Sequence, residues 1–353
     1  MIWTTSISDL NDAKRPGEPY FAGAWDFMKA WLGGQQEFTL HTSGSTGTPK
    51  PINLTRVQMS ASARMTGKAL QLGKGTRALV CLNVSYIAGL MMLVRGMELD
   101  WELTIIEPSS NPLADIEPEM QFDFAALVPL QLTEILANVE TKNRDNSLGK
   151  ILLGGAPVDV SLQKVISKLP VPIYQSYGMT ETVSHVALRQ LNGAEPSENY
   201  EFLPEIRFGT DDRGCLFVLG PVTNNEIVQT NDLVEISGNT FKWIGRADNI
   251  INSGGVKIVL DKIDAVVAEV FDDLNLSKSF FSWSAPDEKL GQKLVLVIES
   301  ITDEDIANRI LKEIRGLVSA YETPKHIYFV TKFARTPSNK VDKRATFQQL
   351  LES

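Results

Sequence analysis

The run Thr42-Ser43-Gly44-Ser45-Thr46-Gly47-Thr48-Pro49-Lys50 is the stretch whose residue types most clearly suggest chemistry. Small residues let backbone N–H groups and hydroxyls close around phosphate oxygens, and Lys50 adds positive charge. The run is not a Walker A loop, which needs Gly before the Lys and Ser or Thr after it. Here Pro49 and Pro51 flank Lys50. A lone Ser/Gly run is most often a solvated surface loop. This one directly follows a strand-like stretch at 37–41 and precedes a helix-forming stretch at 55–72, a setting that suits phosphate binding.

The elements around the loop set the expected architecture. Strand-like runs at 77–82, 101–107, 124–128 and 150–153 alternate with helix-like runs at 87–98, 130–139 and 160–168. That alternation predicts an α/β fold with a mostly parallel sheet. From 206 to 243 short strands separated by turn residues predict a β meander. After residue 244 the pattern becomes a compact α+β unit with its own strands and helices. We therefore expect a large N-terminal domain of α/β layers plus a β region, residues 1–247, followed by a smaller mobile α+β domain, residues 248–353. No repeat or low-complexity tract is present.

Composition narrows the function. The 353 residues carry a net charge of -9, with 43% hydrophobic and 22% charged side chains. With no long basic run, nucleic acid is not expected as the partner. The two cysteines, Cys81 and Cys215, lie far apart, with no metal-ligand spacing. The start lacks the pattern of a secretory signal, and the most apolar stretch, 78–94, is broken by Asn83, Ser85 and Gly89. A cytoplasmic protein without a membrane span is expected, and association with further copies of itself stays open.

Five further motifs follow the loop in order: Gly154-Gly155-Ala156-Pro157, Ser176-Tyr177-Gly178-Met179-Thr180-Glu181-Thr182, Thr230-Asn231-Asp232, Gly245-Arg246-Ala247-Asp248-Asn249-Ile250 and Arg335-Thr336-Pro337-Ser338-Asn339-Lys340. Together with the loop they resemble the adenylate-forming superfamily of acyl-CoA synthetases, peptide-synthetase adenylation domains and luciferases. The resemblance spans residues 42–340 and leaves the first 40 without a match.

The resemblance implies an enzyme that joins a carboxylic acid to AMP at the expense of ATP, then passes the acyl group to coenzyme A. Attack of a carboxylate on ATP brings anion against polyanion, so the site must neutralise charge and align the reactants. By resemblance, Thr42, Ser43, Gly44, Ser45, Thr46, Gly47 and Lys50 hold the leaving phosphates. Gly154, Gly155, Ala156 and Pro157, with Ser176, Tyr177 and Gly178, form the adenine side. Asp232 accepts the ribose hydroxyls, with Arg246 beside it. Thr180 and Glu181 belong to the catalytic set, Glu181 holding Mg²⁺, an oxygen-seeking ion. Lys340 bridges the attacking carboxylate and the α-phosphate. Asp248 takes the hinge position, and the turn at Gly254 and Gly255 approaches the pantetheine arm of coenzyme A, where glycine admits close passage. Taken singly, a Tyr is usually packing, an Asp a turn former and a Lys near the end of a chain solvated. Their order along the chain is what favours the functional reading.

Within the superfamily the chain resembles the o-succinylbenzoate–CoA ligases of menaquinone biosynthesis. The shared features are a short chain, the segment 177–186 and the helix containing Gly89 and Arg95. That substrate has two carboxylates. By resemblance Arg95 anchors the one that does not react, and Tyr86 and Ser184 line the acid pocket. Arg95 reads equally as a surface arginine at a helix end. Departures from the pattern are a short region before the phosphate loop, Tyr86 where many relatives have His, Ala88 where they often have Ser, and Asn339 in place of Gly. Two alternatives accompany this reading: a stand-alone aryl-acid activator that loads a carrier protein, and a non-catalytic nucleotide-binding regulator, against which the presence of Lys340 and Glu181 counts.

Overall fold

The computed structural model describes residues 1–41, 51–336 and 341–352. The phosphate-loop residues 42–50 and the segment 337–340, with Lys340, lie outside the described residues.

Most of the chain before Arg246 is organised on one twelve-stranded sheet. Glu102–Ile106, Arg77–Val80, Phe124–Leu127, Lys150–Leu153 and Ile173–Gly178 run parallel, in that spatial order. Apart from Arg77, Glu102 and Lys150 at their starts and Thr104, Gln175 and Ser176 within, their residues are apolar or aromatic, as strands largely buried on both faces require. Helices Ile87–Leu99, Pro129–Ala137 and Val160–Ile166 make the crossovers. At Ile173–Gly178 the direction changes: its other neighbour, His185–Gln190, is antiparallel. The sheet continues antiparallel through Tyr200–Phe202, Thr240–Arg246, Val228–Ser237, Cys215–Leu219 and Arg207–Thr210. The expected meander thus forms one end of the main sheet, spliced to it by two strands that the turn-rich stretch 190–205 disguises.

Beyond Arg246 a five-stranded sheet forms around Gly291–Glu299, covered by Leu260–Asp273 and Glu304–Leu317. Its core, including Ile258, Ile263, Val267, Leu296, Ile310 and Ile314, is distinct from that of the large sheet. The one-turn helix Ala247–Asn249 joins the two units.

One local expectation changes. Residues 55–72 do not follow residues 42–50 directly: Pro51–Thr55 intervenes as a strand and pairs with Glu37–His41, His41 opposite Pro51. Ile52 and Leu54 alternate with polar residues and lay one face on the core. Helix Arg56–Leu70 then starts at Thr55, whose hydroxyl accepts from the Gln58 N–H while the Gln58 side chain accepts from the Thr55 N–H. Both cysteines are buried and unpaired. Among the described residues no helix is long and apolar enough to cross a membrane.

Candidate active site

A cavity of about 440 Å³ opens where the parallel strands end. Tyr86, Arg95, Gly154, Gly155, Ser176, Gly178, Thr180 and Ser184 all line it, so the residues expected to hold the acid and part of the adenine loop share one chamber. Ala156 and Pro157 continue the loop into solvent and do not line it. Gly178 is required by close approach: a Cβ there would sit 2.3 Å from the Ser184 carbonyl oxygen.

Arg95 lies within the helix Ile87–Leu99, not at a surface end, and is 2% exposed. That helix packs on Arg56–Leu70 through Gly67, where a Cβ would meet Leu99 at 2.8 Å. The close packing brings Thr66 to Arg95: Arg95 Nε donates to Thr66 Oγ1 at 3.3 Å. Arg95 also donates to Ser184 Oγ at 2.9 Å and has the Met92 sulfur at 3.6 Å. Among the described residues no carboxylate forms an ion pair with it. Burial pulls its pKa down to about 10, still high enough to keep the guanidinium charged at neutral pH. An unpaired buried cation is costly, and this one faces a cavity.

Ser184 is aimed by a strained turn. Val183 has φ 65 and ψ -53, and the Ser184 N–H donates to the Thr182 carbonyl at 2.7 Å. This is a γ-turn of positive φ, rare for any residue and costing on the order of 1–3 kcal/mol for a β-branched one. Thr182 braces it, donating to the Ser184 carbonyl at 2.8 Å.

A second cluster stands on the other side of the same strand. Tyr177, between cavity-lining Ser176 and Gly178, packs edge-on against Tyr200 and Phe241 and donates its hydroxyl proton to Asp232 at 2.6 Å. Burial and the adjacent Asp232 raise the phenol pKa, so the donor form persists. Asp232 is 8% exposed and also accepts from Trp243 Nε1 at 3.2 Å, with Arg246 at 3.7 Å. Arg246 forks onto Asp248 with two hydrogen bonds of 2.9 Å. Asp232 is therefore fixed among cationic and donor neighbours, a suitable acceptor for vicinal hydroxyls.

Glu181 is exposed on the turn Thr180–Thr182. Among the described residues no group of three His, Cys, Asp or Glu side chains could hold a metal by itself. A single free-standing carboxylate fits Mg²⁺ that shares its shell with phosphates and water. Gly254 and Gly255, with φ 60 and 87, form the two-residue turn of the hairpin Ile250–Ser253/Val256–Val259. Thr66, His185 and Trp243 were not assigned roles from the sequence: Thr66 lies outside the motifs, Trp243 stands three residues before Arg246, and His185 falls inside the segment 177–186.

The family profile described as "AMP-binding enzyme" matches residues 36–204. A crystal structure of an "acyl-CoA synthetase (AMP-forming)/AMP-acid ligase II-like protein" from Dyadobacter fermentans is 64% identical, with 99% of this chain and 100% of that one covered and a TM-score of 0.71. The chain belongs to the AMP-binding enzyme family. Within it, this is an AMP-forming acid–thiol ligase. Among curated relatives, the 2-succinylbenzoate–CoA ligase of Bacillus licheniformis is 26% identical over 334 residues, covering 86% of this chain and 68% of the relative. The MenE o-succinylbenzoate coenzyme A synthetase of Bacillus subtilis, solved with ATP and magnesium ion, shares the fold at 21% identity and a TM-score of 0.71, covering 88% of this chain and 69% of that one.

Proposed function

We propose that this enzyme activates an aromatic dicarboxylic acid, o-succinylbenzoate, through its acyl-adenylate and transfers the acyl group to coenzyme A, a step of menaquinone biosynthesis. The observation that carries this reading is Arg95: a buried guanidinium on a cavity, with no carboxylate partner among the described residues. A carboxylate that enters without reacting supplies the missing anion, and a guanidinium fork can bind it with two parallel hydrogen bonds. The apolar walls from Leu82, Ile87 and Val183 suit an aromatic ring, with Tyr86, 55% exposed, at the mouth. The names of the relatives support the same acid.

In this reading the reacting carboxylate points toward the nucleotide side. Lys340 draws it and the α-phosphate together, residues 42–50 hold the departing pyrophosphate, and Asp232 fixes the ribose. Glu181 would hold Mg²⁺, which would supply positive charge to the phosphates. Rotation about Asp248 then withdraws Lys340 and brings the Gly254–Gly255 turn up to guide the thiol. The test is pyrophosphate release across a panel of acids, with and without coenzyme A. o-Succinylbenzoate should be used best and form a thioester only when coenzyme A is present. Inactivity with it overturns the acid assignment, and turnover unaffected by coenzyme A points to a carrier protein as acceptor.

A further inference from the structure

Thr66, His185, Ser184 and Arg95 close a ring of hydrogen bonds behind the cavity, and its protons can be counted. The single hydroxyl proton of Thr66 goes to the Ser62 carbonyl at 3.0 Å. With that proton so placed, Thr66 Oγ1 accepts its other two contacts, from Arg95 Nε at 3.3 Å and from His185 Nε2 at 3.2 Å. His185 thus carries a proton on Nε2. The imidazole is 4% exposed, and burial together with the Arg95 charge holds its pKa well below the ordinary value, so Nδ1 is bare. Ser184 Oγ, 3.2 Å from Nδ1, donates its proton there and accepts from Arg95 at 2.9 Å. Each hydroxyl and imidazole proton of the ring thus has a protein acceptor, the Ser62 carbonyl for Thr66 and ring members for the rest. The donors left for a ligand are the remaining guanidinium N–H groups, and the ring braces that guanidinium on two sides.

We infer that Thr66 and His185 are positioning residues of the acid site: through Ser184 and Arg95 they present a donor-only face that selects an ionised carboxylate and rejects its carboxamide. The inference rests on Arg95 being the acid anchor. An amide would set its own N–H groups against those of the guanidinium.

The experiment compares Thr66→Val, Thr66→Ser and Arg95→Ala with wild type. The readout is pyrophosphate release with o-succinylbenzoate and with its analogues carrying a carboxamide or hydrogen in place of the non-reacting carboxylate. Thr66→Val should raise KM for the dicarboxylate about tenfold, the scale of one lost hydrogen bond to a charged group, and narrow the preference over both analogues. Its kcat should stay within about twofold, and Thr66→Ser should restore wild-type behaviour. Equal losses for all three acids, or a Ser variant as poor as Val, overturn the inference. If Arg95→Ala abolishes the preference while Thr66→Val leaves it intact, the positioning role fails and the anchor stands. If Arg95→Ala leaves the preference unchanged, both fail. ¹⁵N NMR of the wild-type imidazole gives an answer independent of activity: a neutral Nε2–H tautomer is expected at pH 7, and an Nδ1–H tautomer or an imidazolium overturns the proton assignment.

Discussion

At the scale of single residues, the proposed acid pocket depends on groups whose charge is set by their surroundings. Arg95→Ala should cost roughly 2–5 kcal/mol in kcat/KM for the dicarboxylate, because the substrate's second carboxylate is then buried without a partner. A monocarboxylate analogue should be affected much less, and both are measurable in one coupled assay. His185 makes a different prediction. Its folded pKa lies well below the ordinary value of 6.5, so as pH falls through about 6.5 the unfolded chain binds a proton that the folded chain does not. Stability from this group is fully present above that pH and is lost below it, at a limiting slope of about 1.4 kcal/mol per pH unit. Urea melts at pH 7.5 and 5.5 should show the loss in wild type, and less of it in His185→Gln. Arg95 was legible in the sequence because a motif pointed to it, but its burial was not. Two packed helices create that burial, and spacing along one of them does not reveal which face the other covers. Thr66 was illegible for the same reason: it meets Arg95 only because Gly67 lets the helices approach.

Among the elements, glycines separate where contact is tight from where it is loose. Gly178→Ala would drive a Cβ to 2.3 Å from the backbone oxygen of Ser184, which cannot yield without moving the strained turn at Val183. A loss of about 1–3 kcal/mol is expected, read as a lower denaturant midpoint, with activity falling in parallel. Gly23 is the contrast. It lies inside helix Pro19–Leu32 with nothing within 4 Å of a built Cβ, so Gly23→Ala should stabilise by about 0.5–1 kcal/mol and leave activity alone. Alternation of strands and helices was readable through Val160–Ile166, since the parallel strands are mostly apolar and helices such as Pro129–Ala137 and Val160–Ile166 carry an exposed face. The strands Pro51–Thr55, His185–Gln190 and Tyr200–Phe202 were not. Each is short and polar-flanked, and tertiary pairing, not local preference, makes it a strand.

For the molecule as a whole, the junction at Ala247–Asn249 and the separate cores of the two units support a hinge at Asp248. Proline would fix φ there. Asp248→Pro should therefore impair either adenylation or thioester formation far more than the other, when each is assayed alone with ATP and acid or with supplied acyl-adenylate. Equal loss of both would remove the hinge from Asp248. Helix Val160–Ile166 touches the small unit directly, Lys164 pairing with Asp272 and Ser161 donating to Asp272 at 3.1 Å. Neither contact was legible beforehand, because ion pairs between distant surface residues leave no trace in spacing. The seam of the large sheet has a practical meaning. Ile173–Gly178 is the strand where parallel pairing gives way to antiparallel, and it presents Ser176 and Gly178 to the acid cavity while Tyr177 reaches Asp232 on the opposite side. One strand thus serves both the cavity and the Asp232 cluster. Under the proposed function, a protein engineer can vary the cavity wall at Tyr86, Leu82 or Ile87 without altering Tyr177 or Asp232, so that a library aimed at new acids would inherit the ribose-side contacts.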